Sequence, residues 1–361
     1  MTTRRSFLSR STVALAATGL SRAVPGLAQA DSPDVAPFLT PYKYEKLILE
    51  KSADSTSFDS RSVDCPFVFH HNGAFYMTYV GYDGVGYQTG LATSADLVTW
   101  KRLGCILRRD PASEITRFNI ALMWILRENQ LSSTGNLIPL DGQFLGAWHA
   151  YPNPGYEAGP AVIGLARSRD LMHWQLEAPI LRPDDADAAP WEQGGLYKPC
   201  LVRDRELYYL FYNAKTRPDP ALHGGWHEQI GVATSRDLRR WVRYSGNPIL
   251  RNGIAGSWDD RFASDPCVLR HGSQWAIYYY GLSSAHGKAR DLLALTSDPY
   301  HPHKVDRIMV DAGPPGSVDD DFAHKPSLIT RDGMLYHFYC AVSGRYPNDV
   351  RGISVARSRP W

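Results

Sequence analysis

None of the five cysteines belongs to a C-x-x-C pair, so the chain lacks the usual thiolate zinc site. Charge of one sign is lacking too: 39 Lys and Arg stand against 37 Asp and Glu, a net of +2. No basic run rises above that background, which removes nucleic acid as a partner. The one apolar stretch at the N-terminus, "STVALAATGL", is too short and too rich in small residues for a stable membrane span. No cofactor or metal motif with ligand spacing occurs.

What is present starts at the N-terminus. "TRRSFLSR" sets Arg4 and Arg5 ahead of Phe7 and Leu8, the apolar stretch follows, and Ala28-Gln29-Ala30 offers a small-x-small cleavage point. This pattern predicts a twin-arginine signal over 1–30 and a periplasmic or secreted protein, with no membrane span after cleavage. A short extension, 31–44, then leads into one domain, 45–361. Export of an already folded chain agrees with cysteines that read as buried small residues rather than bridges.

Aromatics reach 12%, with 20 Tyr and 10 Trp, which suits strands and sugar-stacking surfaces alike. They recur in a pattern. Three segments read G-[LV]-A-x-S-x-D-L-x-x-W and end at Trp100, Trp174 and Trp241. Four x-Pro pairs open apolar runs, "CPFVFH", "KPCLVR", "DPCVLR" and "KPSLIT", and each is followed by a turn and an aromatic run. Between the first two lies a copy with a long insertion, built from "NIALMWIL", "GQFLGAWHAY" and the tail ending at Trp174. Repeats at this period predict an all-β chain, a single five-bladed β-propeller with four antiparallel strands per blade. The last copy stops after its third strand, and residues 45–50 are expected to supply the fourth and close the ring, which removes the open edges.

In a propeller the first strands line the axis, so their starts converge on one mouth. The x position carries Cys65, Lys198, Asp265 and Lys325, preceded by Asp64, Tyr197, Ser264 and His324. Loops between second and third strands add Asp83, Glu157, His223, Trp226, His227, Glu228, His286 and Arg290, each alone more ordinary as a solvated loop residue. Trp148, Tyr212, Asn213 and Tyr280 end second strands and are expected near the mouth, with Glu192, Asp259 and Asp260 at its rim.

These features resemble the five-bladed β-propeller glycoside hydrolases, the group of arabinanases, β-xylosidases, invertases, mannoside phosphorylases and neoagarooligosaccharide hydrolases. The tail motif is specific to the fold group, and the mouth residues are most similar to the neoagarooligosaccharide hydrolases. The resemblance implies a carbohydrate substrate, Asp64 as general base, His324 or Asp265 as acid, and inversion of the anomeric centre. Lys198, Lys325, Asp83, Trp148, Tyr212, Asn213, Tyr280 and Glu192 are then the candidate substrate contacts. Lys198 and Lys325 either balance the two aspartates or meet an anionic sugar. No catalytic metal is implied, and the axial tunnel leaves room for a structural cation. A glycoside phosphorylase and a non-catalytic carbohydrate-binding propeller are the competing expectations.

Overall fold

The computed structural model describes residues 34–222, 225–345 and 348–361. Residues 1–30, where a twin-arginine signal is expected, and His223 lie outside the described residues. Phe38–Trp361 form one unit. After a short strand β1 (Tyr42–Lys43), the strands fall into successive antiparallel groups. The first is β2 (Ser62–His71), β3 (Ala74–Tyr82), β4 (Tyr87–Ser94) and β5 (Lys101–Leu107). The second is β6 (Ala121–Ile125), β7 (Phe144–Ala150), β8 (Val162–Ser168) and β9 (Gln175–Leu181). The third is β10 (Gly195–Asp204), β11 (Leu207–Lys215), β12 (Glu228–Ser235) and β13 (Val242–Arg243). The fourth is β14 (Phe262–His271), β15 (Gln274–Leu282), β16 (Ala289–Thr296) and β17 (His303–Lys304). The last is β18 (Phe322–Arg331), β19 (Met334–Ser343) and β20 (Val350–Arg357), with β1 paired to β20.

The last three groups merge into one twelve-stranded sheet because β12 touches β14 at Glu228–Phe262 and β16 touches β18 at Ala289–Phe322 and Arg290–Ala323. At the other end of the chain β2 packs on β18, β19 and β20. The pairing to β20 begins at Tyr42 and Lys43, ahead of the expected 45–50, and Leu49 adds a single bridge to Ile353. Glu45, held at φ 62°, interrupts the run between them. The 31–44 extension therefore contributes a strand, and the domain begins earlier than position 45.

The S-x-D-L-x-x-W tails are the turns between third and fourth strands. In each, the Ser hydroxyl (Ser94, Ser168, Ser235) accepts from the backbone N–H of the following Asp and Leu. The Asp carboxylate accepts from the next two N–H groups, and the Trp indole donates to the Leu carbonyl. Short polar side chains satisfy a turn's backbone in this way. The buried Leu97, Leu171 and Leu238 take φ of 70°, 67° and 64°.

A second repeated device locks the groups internally. A tyrosine of the second strand donates to an acid ahead of the first strand, and a cation from the outermost strand pairs with the same acid. The sets are Asp59, Tyr79 and Arg102; Glu192, Tyr212 and Arg243; Asp259, Tyr279 and Lys304; Asp319, Tyr339 and Lys43. Tyr212 and Glu192, expected at the mouth, are thus interior: both are buried, and their 2.7 Å hydrogen bond serves the lock. Trp148 is interior as well. Its ring fills the space over Gly164 and its indole donates to Leu165 O at 2.7 Å. In the last group the cation, Lys43, comes from the N-terminal strand. Lys43→Met leaves Asp319 buried without its ion and should cost about 1–3 kcal/mol, discounted for the partial exposure of Lys43. A denaturant midpoint unchanged from the parent would contradict this.

The insertion of the second group bridges the first, fourth and last groups. Asn129 O accepts from Arg270 N–H, Leu131 N–H donates to Arg270 O, and Thr330 N–H donates to Ser133 O. Arg127, fully buried, donates to Val68 O and to Leu328 O and lies 5.0 and 5.1 Å from the rings of Phe67 and Trp124. Among the described residues no helix is long and apolar enough to cross a membrane.

Candidate active site

The x-Pro starts are bulged. The register slips between Asp64 and Phe67, Tyr197 and Cys200, Ser264 and Cys267, and His324 and Ser327. Cys65, Lys198, Asp265 and Lys325 adopt φ of 54°, 50°, 57° and 68°. A residue before proline ordinarily stays extended, so each bulge stores local strain and re-aims its side chain towards the axis. The following prolines, with Phe67, Met123, Trp124, Lys198, Asp265 and Lys325, enclose an axial hole of about 20 Å³, close to the size of one water. All the strand groups thus meet here, as the sequence pattern requires. Among the described residues no cluster of three or more His, Cys, Asp or Glu is suited to a metal ion.

Four charged groups of this floor form two ion pairs. Lys325 Nζ lies 2.8 Å from Asp64 Oδ2, and Lys198 Nζ lies 3.2 Å from Asp265 Oδ2. Asp64 also accepts from Cys65 N–H at 2.7 Å and faces Arg351 at 3.6 Å. Burial opposes its ionisation, but Lys325 and Arg351 hold its carboxyl well below the ordinary carboxylate range. Burial likewise opposes the charge on Lys325, and Asp64 keeps it well above the usual lysine value. Burial pushes Asp265 up against the pull of Lys198, while Lys198, opposed by its own burial, is held up by Asp265. Each lysine thus has an aspartate as its ion partner, and Lys325 also lines the cleft described below.

His324 departs from its expected role as acid. Its Nδ1–H donates to Cys340 O at 3.1 Å, and the rings of Tyr280 and Phe322 meet it edge-on at 5.1 and 5.4 Å. Burial, then Lys325, pushes its pKa well below the ordinary histidine value. The ring is neutral at working pH, and Nε2 is left as an acceptor. Asp64 pulls it upward, but burial and the charge of Lys325 outweigh that pull.

Above this floor opens a cleft of about 1010 Å³, lined by His324, Lys325, Arg351, Tyr280, Glu157 and Glu228 among others. Asp64 and Asp265 lie beneath it and do not line it. Asp83 pairs with Arg109 at 2.7 Å and also lies off the lining. Asn213 is buried, and its amide donates to Glu228 Oε2 at 3.3 Å. Tyr280 reaches the cleft and donates to the same oxygen at 3.3 Å, and Trp226 Nε1–H donates to Oε1 at 3.0 Å. Glu228, 2% exposed, is pushed up by burial and then by the charge of Glu157. Glu157 stands on a loop with φ 50°, its side chain 32% exposed and 3.6 Å from Lys325. Lys215 Nζ–H donates to Glu157 O at 2.8 Å and tethers that loop. A buried carboxyl with a raised pKa beside an accessible one is the arrangement acid–base catalysis needs.

A family model described as "Glycosyl hydrolases family 32 N-terminal domain" matches residues 137–308. A levanase of Bacillus subtilis is 30% identical over 109 residues, 29% of this chain and 15% of the levanase. An uncharacterized protein of Mycobacterium tuberculosis is 27% identical over 177 residues, 48% of each chain. A solved structure described as a BT0996 RGII complex is 28% identical, with a TM-score of 0.77 over 90% of this chain and 94% of the other. Another, described as a glycoside hydrolase, is 27% identical, with a TM-score of 0.76 over 90% and 93%. The chain is similar to glycoside hydrolases. It spans about half the length of the first curated relatives it matches, and 15% of the levanase. Together the matches support a glycosidase. The likeness to neoagarooligosaccharide hydrolases rests on Asp64, Asp265 and His324 alone.

Proposed function

We propose that the protein is an exported glycoside hydrolase that cleaves an oligo- or polysaccharide with inversion. Its five strand groups are then the blades of one propeller, closed by the N-terminal segment. Residues 3–30 support export through the twin-arginine pathway. The observation that carries the catalytic reading is the pair Glu157 and Glu228 in the cleft. Glu228, whose pKa is raised by burial and then by the charge of Glu157, donates a proton to the leaving oxygen. Glu157, open to solvent, takes the proton of the attacking water. Asp64, too weak a base at its depressed pKa, holds Lys325 and Arg351 in place, and Asp265 does the same for Lys198. His324 Nε2 accepts from a sugar hydroxyl.

The structural relative described as an RGII complex supports RGII or a related polysaccharide as substrate. The test is cleavage of a panel of aryl glycosides and plant, algal and bacterial polysaccharides that includes RGII and its fragments. Proton NMR of fresh product should show the inverted anomer. Binding without any turnover would favour the non-catalytic reading, and release of a sugar phosphate would favour phosphorolysis.

A further inference from the structure

One wall of the cleft is a continuous apolar cluster. Phe262, Tyr280, Leu282 and Ala289 form a buried apolar cluster, with Trp226 and Phe322 packed against it, and all six line the cleft. The wall arises where neighbouring sheets touch: Phe262 pairs with Glu228, and Phe322 with Ala289. Its two polar side-chain groups, Tyr280 Oη–H and Trp226 Nε1–H, both already donate to Glu228. The wall thus has no further side-chain donor to offer, and its one remaining side-chain acceptor is the Tyr280 oxygen. Polar groups also reach the cleft, with Glu157, Lys325, Arg351 and Nε2 of His324 among them, beside further apolar residues such as Tyr156, Ile115 and Val162.

A single aromatic ring would serve the C–H face of any sugar. Leu282, Ala289 and Phe322 continue the apolar surface past the rings, and a hydroxyl pressed against them loses water without gaining a bond. We infer that this wall is a subsite for a 6-deoxyhexose, whose methyl group lies against Leu282, Ala289 and Phe322 while its hydroxyls face the polar groups of the cleft. The inference rests on the glycosidase reading for the meaning of Glu228, and it adds the chemical class of the sugar beside it.

The experiment uses the intact protein and pairs of methyl glycosides that differ only in the C6 hydroxyl: L-fucoside against L-galactoside, and L-rhamnoside against L-mannoside. Calorimetry should give the deoxy member of at least one pair a roughly 10- to 100-fold lower Kd, the range one such group commands in an apolar pocket. Saturation-transfer NMR should place the strongest transfer on its methyl protons. Ala289→Ser and Phe322→Asn should each narrow the ratio; Phe322 is partly exposed, so its variant keeps the test valid if Ala289→Ser fails to fold. Equal affinities within both pairs, no binding by any of the four probes, or an unchanged ratio in a folded Phe322→Asn protein would overturn the inference. Turnover on the glycoside panel is scored separately. Cleavage without a deoxy preference overturns the subsite and leaves the glycosidase; a deoxy preference without cleavage does the reverse.

Discussion

Glu228→Gln lowers kcat by about a thousandfold on glycosides with poor leaving groups, the middle of the range for a general acid. The loss shrinks on dinitrophenyl glycosides, whose leaving oxygen needs no proton. Glu157→Gln hits both substrate classes alike, because water must be activated in either case. The pair is also coupled through its charge. Burial raises the Glu228 pKa first and Glu157 raises it further. Removing the Glu157 charge therefore lowers it, and carbon NMR of the Glu228 carboxyl in Glu157→Gln should titrate at lower pH than in the parent. A Glu228→Gln enzyme with parental kcat on alkyl glycosides would end this assignment, and an unmoved titration would end the coupling.

Lys325→Met has the largest expected effect on stability. Both partners of the Lys325–Asp64 pair are nearly inaccessible, at 6% and 2% side-chain exposure. Without Lys325, buried Asp64 keeps only Arg351 at 3.6 Å as an ion partner, and the loss approaches the roughly 3–5 kcal/mol of a broken buried pair. Lys325→Met combined with Asp64→Asn should recover much of that loss. The pH dependence has a definite sign. The folded Asp64 pKa lies below its unfolded value, so the pair's contribution is complete above about pH 4 and fades as pH falls further. The gap between parent and Lys325→Met in urea denaturation should close over that acidic range. A gap that widened there, or a single variant as stable as the parent, would show that the pair does not hold the floor together.

The repeat is legible in the sequence because each unit carries its own turn chemistry: S-x-D-L-x-x-W writes out a local hydrogen-bond pattern, and x-Pro marks each bulged first strand. The second group, which has neither x-Pro nor an acid-tyrosine lock, can still be placed from its tail and from "GQFLGAWHAY". The site is less legible. Asp64, Lys198, Asp265, His324 and Lys325 stand out by convergence, and they do converge. Whether an acid is paired or free depends on what sits opposite, and Asp64 meets Lys325 from 261 positions away. Glu157 and Glu228 read in sequence only as ordinary loop residues, since their importance comes from the burial of Glu228 and the charge of Glu157 beside it. Tyr212 and Glu192 do carry a usable signal. Each locking tyrosine follows its acid by 20 positions, as in Tyr79, Tyr212, Tyr279 and Tyr339.

Arg127 ties the second strand group to the first and the last, because its guanidinium donates to Val68 O and to Leu328 O. The hole of about 20 Å³ between the strand starts is too small to pass a sugar. On the proposed glycosidase reading, the cut sugar then leaves through the same cleft by which the next chain end arrives, so departure and arrival take turns at one threshold. Free sugar then competes with fresh substrate for entry, and turnover slows as product builds up.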